Sequence, residues 1–515
     1  MLTRTTEIDE WISIYARSEL SVASVLCDVH DRDRVAFTFV DAEDMSRYDL
    51  TFGELADRSA CLATALRERG VRRGDRVPVL MSKRVELVVT LLALWRLGAV
   101  YVPLFTAFAK GAIELRVVGS QARLVITEAA HIHKLDEIDV STLDIDQEYR
   151  DLVDHDRPLL ESVAVGGDGP FIQLFTSGTT GKPKGVVVPG RALSAFRTYV
   201  HYGLDVQEDD VFWNAADPGW AYGLYCAIVG PLVAGRTNIL FSGGFTAEST
   251  ARVLGDLGVT NFAGAPTIYR ALSQLPSNRL PRLRRASSAG EPLTPDVIDW
   301  SRRELGVEVR DHYGQTELGM VIANGWHDDV SVPLRPGSMG RALPGFTAGI
   351  VDGQIAIDVA KSPLLWFEGY LDDPSKSAER FTADGAWYLT ADTGRIDDDG
   401  FVYFAARDDD VILAAGYRIG PFEVESVLSN HPDVAEVAVV GRPDPDGIRG
   451  EIVEAFVVPA PGIRGSDTLA IELQDLVRNG YSKHAYPRRV HFTDSLPKTP
   501  SGKVQRYLLR TADAD

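Results

Sequence analysis

Between Phe52 and Thr127 the chain alternates helical and strand periodicity. Phe52–Gly70 (FGELADRSACLATALRERG) places its apolar residues at helical spacing and closes on Gly70. Arg76–Leu80 (RVPVL) follows as a strand, and Val85–Leu97 as a second helix. Leu87–Leu104 is long enough on its own to cross a membrane, but Arg96, Gly98 and Pro103 interrupt it. Those interruptions fit a buried helix, a turn at Gly98 and a short strand at Val100–Val102. Arg123–Thr127 supplies another strand. The rhythm returns as strand Thr237–Phe241, helix Thr246–Leu257 and strand Asn261–Phe262. Strands joined through helices run parallel, because the helix carries the chain back to the edge it left. The expected class is α/β, with parallel sheets covered by helices.

The texture changes near Ala391. Asp392–Val411 suggests a hairpin turning at Asp399–Gly400, then an acidic run, Asp408–Asp410. Helix Gly420–Asn430, strands Ala435–Val440 and Ile452–Pro459, helix Thr468–Asn479 and strand Arg489–Phe492 would form a small α+β unit. The expected division is a large N-terminal domain, residues 1–406, and a small C-terminal unit, residues 407–515.

Charge narrows the partners. Lysine and arginine number 53 against 73 acids, a net charge of −20 over 515 residues. Nucleic-acid affinity rests largely on Lys and Arg, so a nucleic-acid partner is not expected. Three scattered cysteines, Cys27, Cys61 and Cys226, make neither a disulfide framework nor a four-cysteine zinc site. Met1–Arg17 lacks the apolar core of a secretory leader. A cytoplasmic protein without a membrane span is expected, its oligomeric state open.

Phe171–Val188 (FIQLFTSGTTGKPKGVVV) carries the chemistry. Two apolar strands frame a loop of Thr, Ser, Gly and Lys. Glycines let backbone N–H groups approach phosphate oxygens, hydroxyls add donors and lysine adds charge. A Walker A loop is excluded, because Pro183 follows Gly181-Lys182 where Ser or Thr is required.

The segment Thr176–Gly185 (TSGTTGKPKG) resembles the signature loop of the adenylate-forming superfamily of acyl-CoA synthetases, luciferases and peptide-synthetase adenylation domains. Further segments match in the family's order: Gly290-Glu291-Pro292, Tyr313–Glu317 (YGQTE), Tyr388–Asp392 (YLTAD), Arg407 with Gly416-Tyr417-Arg418, and Pro497–Lys503 (PKTPSGK). Ala216–Leu232 (ADPGWAYGLYCAIVGPL) is most similar to acetyl- and medium-chain acyl-CoA synthetases. The resemblance implies a two-step reaction. A carboxylate attacks the ATP α-phosphate to give acyl-AMP, and CoA then displaces AMP. An anion attacking an anion calls for cations and donors more than for a base.

Roles follow from the resemblance. Thr176, Ser177, Gly178, Thr179, Thr180, Gly181 and Lys184 would hold the β- and γ-phosphates. Gly290, Glu291, Pro292, Asp311, His312, Tyr313, Gly314 and Gln315 would frame the adenine, and Thr316 would reach the α-phosphate. Glu317 is the implied Mg2+ carboxylate. Asp392 would clamp the ribose beside Arg407, with Arg418 near the phosphate. Lys503 would contact the substrate carboxylate and α-phosphate. A lid rotation about Asp409 would then bring the CoA residues Ala415, Gly416, Tyr417 and Arg478 into play. A lysine acetyltransferase acting on Lys503 would silence adenylation by removing its charge.

Trp220, Ala221, Tyr222, Gly264 and Gly314 are the implied acyl-pocket walls. Acetyl-CoA synthetases place a tryptophan where this chain has Gly314. The opened space favours acids longer than propionate, of medium chain or short branched, each buried methylene contributing ~0.8 kcal/mol. Gly314→Trp should therefore shorten the preferred acid. Asp217 reads as structural rather than as a partner for a substrate ammonium. Four other readings stay open: an aryl-acid CoA ligase, an acyl-AMP ligase loading a carrier protein, a luciferase-like oxygenase, and a nucleotide-binding sensor without turnover. No insertion before the lid and no carrier domain after Asp515 favour the CoA ligase.

Overall fold

The computed structural model describes residues 6–155, 157–176, 184–276, 280–407, 410–414, 417–445, 451–499 and 504–511. The alternation in the first third folds as its pattern requires. Thr51 caps helix Phe52–Glu68 in a reciprocal capping box with Glu54, and Gly70 leaves it at φ +94°. Helix Val85–Arg96 turns at Gly98, φ +66°, into strand Val100–Leu104. Strands Arg76–Leu80, Val100–Leu104, Leu124–Thr127 and Ser141–Asp144 run parallel. Pro170–Thr176 joins them parallel to Val100–Leu104. Lys184–Pro189 and the short strand Tyr370–Leu371 close that edge antiparallel, giving seven strands among the described residues.

The second sheet is parallel only in part, and it contains the hairpin expected at Asp399–Gly400. Phe212–Asn214, Asn261–Gly264, Arg285–Ala289 and Arg310–Gln315 are parallel. From Gly319–Ala323 onward, through Ser338–Ala342, Val402–Arg407, Trp387–Ile396, Gln354–Asp358 and Ala348–Val351, neighbours are antiparallel. The cause is connection length. The turn 316–318 is too short for a crossover helix, so the chain must reverse.

One apolar core runs through both sheets and the helices between them, with Val79, Ile172 and Val188 on one side and Val321, Ile355 and Val402 on the other. In the C-terminal part, helices Pro421–Leu428 and Asp467–Gly480 cover strands Val434–Pro443, Glu451–Pro459 and Arg489–Phe492. That part has its own core, including Ile412, Val424, Val453 and Leu473. Among the described residues the two cores are separate clusters, and the rings of Phe404 and Phe422, centroids 6.3 Å apart, meet between them.

Candidate active site

Thr176 and Lys184 face each other as the last pair of an antiparallel ladder, so residues 177–183 form the connection between them. The phosphate-loop residues Ser177, Gly178, Thr179, Thr180 and Gly181 lie outside the described residues. Lys184 Nζ sits 4.9 Å over the ring of Tyr370. Burial and the neighbouring Arg380 and Lys376 hold this ammonium below its usual range.

Thr316 and Glu317 occupy the turn between strands Arg310–Gln315 and Gly319–Ala323. Tyr225, on the π-helical stretch Leu224–Val229, donates to the Thr316 carbonyl at 2.9 Å. A π turn adds a residue and so re-aims the side chains it carries. The Glu317 carboxylate is buried, and Tyr370 Oη donates to its Oε1 at 2.7 Å. Arg380 Nε donates to the same phenol at 2.8 Å, and Arg380 Nη1 to the Thr390 carbonyl at 3.1 Å. Burial, with Glu317 alongside, holds the Tyr370 phenol neutral, above the usual tyrosine range. Glu317 Oε2 has no hydrogen bond among the described residues, and no cluster of three metal-ligating side chains occurs among them. One oriented carboxylate with an available hard oxygen fits magnesium, which takes few protein ligands and completes its shell with phosphate and water.

Asp392 lies on strand Trp387–Ile396, its backbone opposite that of Arg407. Two donors converge on its Oδ2: the Tyr313 phenol, and Gln315 Nε2 at 2.7 Å. Gln315 Nε2 also donates to the Thr390 carbonyl at 2.8 Å, while Tyr388 Oη donates to Gln315 Oε1 at 3.0 Å. Ala391 is held at φ +59°, a conformation that costs a side chain about 1–2 kcal/mol, and its N–H donates to Gln354 Oε1. Tyr313, expected only as an adenine face, thus also orients the Asp392 carboxylate.

Gly290 has φ +97° and open space where a Cβ would stand. Between it and Pro292, Glu291 accepts from Thr267 Oγ1 at 2.8 Å and Arg270 Nη2 at 2.9 Å. Burial pushes the Asp311 carboxyl up to about 8 and the His312 imidazole down to about 3. His312 Nδ1 pairs with Tyr199 Oη at 2.9 Å, and Tyr199 with Tyr222 Oη at 3.1 Å.

Trp220 packs against Phe105 and Phe108, ring centroids 5.2 and 5.3 Å away. Ala221 and Tyr222 open the short helix that follows. At Gly264 an added Cβ would touch Ile268 at 3.1 Å. Gly314 corrects an expectation. The ladder has a bulge between Tyr313 and Gly314, and a Cβ there would stand 2.1 Å from the Gly319 carbonyl oxygen. Gly314→Trp would displace backbone before it filled a pocket. Asp217 Oδ1 accepts from the Gly219 N–H at 2.8 Å, and Lys83 Nζ stands 3.8 Å from Oδ2.

In the C-terminal part, Lys503, Asp409, Ala415 and Gly416 lie outside the described residues. Tyr417 and Arg418 start a strand antiparallel to Ile412–Ala414. Arg478, expected at CoA, pairs with Asp475 and lies over the Tyr486 ring at 4.2 Å. Asp410 is held by Arg506 and Arg510. Tyr370, Arg380, Tyr199, Tyr225, Thr267 and Arg270 were not foreseen. None carries a local signal, because each meets its partner only through tertiary packing.

Two strands framing a Thr-, Ser-, Gly- and Lys-rich loop, a buried carboxylate bonded by a phenol and a second carboxylate accepting from Tyr313 and Gln315 suit an enzyme that handles a nucleoside triphosphate. Residues 27–359 match the family described as AMP-binding enzyme, and residues 423–503 match the AMP-binding enzyme C-terminal domain. The chain belongs to this AMP-binding, adenylate-forming family. Acetyl-coenzyme A synthetase of Bacillus subtilis (strain 168) is 34% identical, over 93% of this chain and 87% of that protein. The mitochondrial acyl-coenzyme A synthetase ACSM3 of Mus musculus is 36% identical, over 89% of this chain and 83% of that one. A crystal structure of Brucella canis acyl-CoA synthetase superposes with a TM-score of 0.75 at 43% identity, covering 99% and 98% of the two chains. No helix among the described residues is long and apolar enough to cross a membrane.

Proposed function

We propose that the chain is an AMP-forming acyl-CoA synthetase: ATP activates a carboxylic acid as acyl-AMP, and CoA takes the acyl group as a thioester. The observation that carries this reading is the hydrogen-bonded circuit that holds two carboxylates, Glu317 and Asp392, beside the phosphate-loop strands. Thr176, Lys184 and the loop between them hold the β- and γ-phosphates. Asp392, oriented by Tyr313 and Gln315, accepts from the ribose hydroxyls, with Arg407 beside it. Glu317 holds magnesium, which when bound offsets phosphate charge. Thr316 donates at the α-phosphate, and Lys503 brings a positive charge to the attacking carboxylate and the pentavalent phosphorus. The adenine lies along residues 290–292 and 311–315.

The acid is longer than propionate, of medium chain or short branched. Trp220, Ala221, Tyr222 and Gly264 wall its site. The lid begins at residue 407 and rotates about Asp409 between the two steps, which brings Ala415, Gly416, Tyr417 and Arg478 to the CoA side. The enzyme is cytoplasmic, consistent with three free cysteines among the described residues, and acetylation of Lys503 switches adenylation off. The test is pyrophosphate release from ATP on addition of acid alone. A protein that binds ATP and releases none with any acid is a sensor instead.

A further inference from the structure

Tyr370 and Arg380 belong to the circuit that holds the two carboxylates, and no role toward the nucleotide or metal has been assigned to them above. Both come from the segment after the phosphate-loop sheet edge. Tyr370 pairs its backbone with Val186, on the strand that leaves the loop. Its ring lies under Lys184 Nζ and its hydroxyl touches Glu317. A single side chain therefore contacts both the phosphate-loop lysine and the metal carboxylate.

The direction of the Tyr370 proton is fixed by its neighbours. Arginine has donors and no acceptor. With Arg380 Nε donating to the phenol oxygen at 2.8 Å, the one phenol proton goes to Glu317 Oε1 at 2.7 Å. Arg380 has no carboxylate within salt-bridge distance among the described residues; its other contacts are the carbonyls of Thr390 at 3.1 Å and Leu389 at 3.5 Å. Lys184 and Arg380 thus bring two cations to one carboxylate, an excess suited to a polyanion. The Thr390 carbonyl also accepts from Gln315, which donates to Asp392. The same guanidinium therefore sits between the metal carboxylate and the ribose clamp.

We propose that Tyr370 and Arg380 are positioning residues for adenylation: the Tyr370 hydroxyl fixes the rotamer of the Glu317 carboxylate for magnesium, and Arg380 aims that hydroxyl and ties it to the backbone of the Asp392 clamp. The inference rests on Glu317 as the metal carboxylate. Partners that orient a metal ligand from behind typically affect metal affinity by about 10–100-fold.

The test measures Mn2+ affinity by electron paramagnetic resonance, on the full chain with a non-hydrolysable ATP analogue. The variants are Tyr370→Phe, Arg380→Gln, Arg380→Lys and Glu317→Gln. Conversion of supplied acyl-AMP to acyl-CoA is measured in parallel. Tyr370→Phe and Arg380→Gln should weaken Mn2+ binding about tenfold or more, and Tyr370→Phe should leave thioester formation from acyl-AMP within about twofold. Arg380→Lys, which keeps a donor, should recover part of the loss. Unchanged Mn2+ affinity in Glu317→Gln would remove the reading of Glu317 itself. Weakened binding in Glu317→Gln with normal binding in both Tyr370→Phe and Arg380→Gln would overturn the positioning role alone. Equal loss of both half-reactions in Tyr370→Phe would make Tyr370 a folding residue and overturn it too.

Discussion

Glu317 Oε1 accepts a 2.7 Å hydrogen bond from the phenol of Tyr370, a residue brought to it by a two-residue edge strand. Through Arg380, Thr390 and Gln315 this contact continues to Asp392. On the function proposed above, adenylation needs both ends of this path. Thioester formation from preformed acyl-AMP does not need the metal end, because pyrophosphate has already left. The two half-reactions should therefore separate under mutation.

Asp392→Asn keeps the shape of the clamp and removes its charge. Hydrogen bonds to a charged group contribute about 1.5–3 kcal/mol, or roughly 10–150-fold. KM for ATP should rise within that range while kcat falls less. Steady-state pyrophosphate release against ATP concentration measures it. An unchanged KM would take the ribose away from Asp392.

Lys503→Ala should abolish acyl-AMP formation and still convert supplied acyl-AMP to acyl-CoA. The lysine serves the first step only if the lid turns away before the second. Single-turnover assays of each half-reaction decide this, and equal loss in both would remove the two-position lid.

Gly314→Ala should destabilise the fold rather than retune the acid. The added carbon meets the Gly319 carbonyl oxygen at 2.1 Å, backbone against backbone. Overpacking of this kind costs about 1–3 kcal/mol. Thermal unfolding should show a lowered Tm. Trp220→Ala is the better probe of the pocket and should move the preference toward longer acids. A chain-length profile that Trp220→Ala leaves untouched would remove that wall.

Asp311 and His312 bend the pH profile of stability in opposite directions. The His312 imidazole is lowered from 6.5 to about 3 by burial, so the folded state favours its neutral form. Its contribution is complete above pH 6.5 and is lost as pH falls toward about 3. The Asp311 carboxyl is raised from 3.8 to about 8, so its contribution is complete below pH 3.8 and is lost as pH rises from there to about 8. His312→Phe should flatten the fall of Tm below pH 6.5, and Asp311→Asn the fall between pH 3.8 and about 8. Limbs that keep their slopes would place the titration elsewhere.

Much of the α/β frame was legible because its periods are local. Arg76–Leu80 and Arg489–Phe492 read residue for residue, and Arg96, Gly98 and Pro103 divided Leu87–Leu104 correctly into helix, turn and strand. Of the antiparallel half of the second sheet, only the hairpin turning at Asp399–Gly400 was legible. The direction of that half is set by the short turn at Thr316–Leu318, and its strands 338–358 lack a clean alternation. Chemistry-bearing motifs pointed to Glu317 and Asp392. They gave no sign of Tyr370 or Arg380, whose importance comes from what the fold sets beside them. The obstruction behind Gly314 was equally hidden, since a carbonyl five residues on has no signature in sequence.

The most direct measurement is mass-spectrometric identification of products formed with ATP and magnesium. Straight-chain acids from acetate to dodecanoate, and benzoates, would each be tested with and without CoA. An acyl-CoA synthetase with this site yields acyl-CoA, AMP and pyrophosphate, strongest for acids longer than propionate. Acyl-AMP that accumulates in the presence of CoA, or no pyrophosphate from any acid, would contradict it.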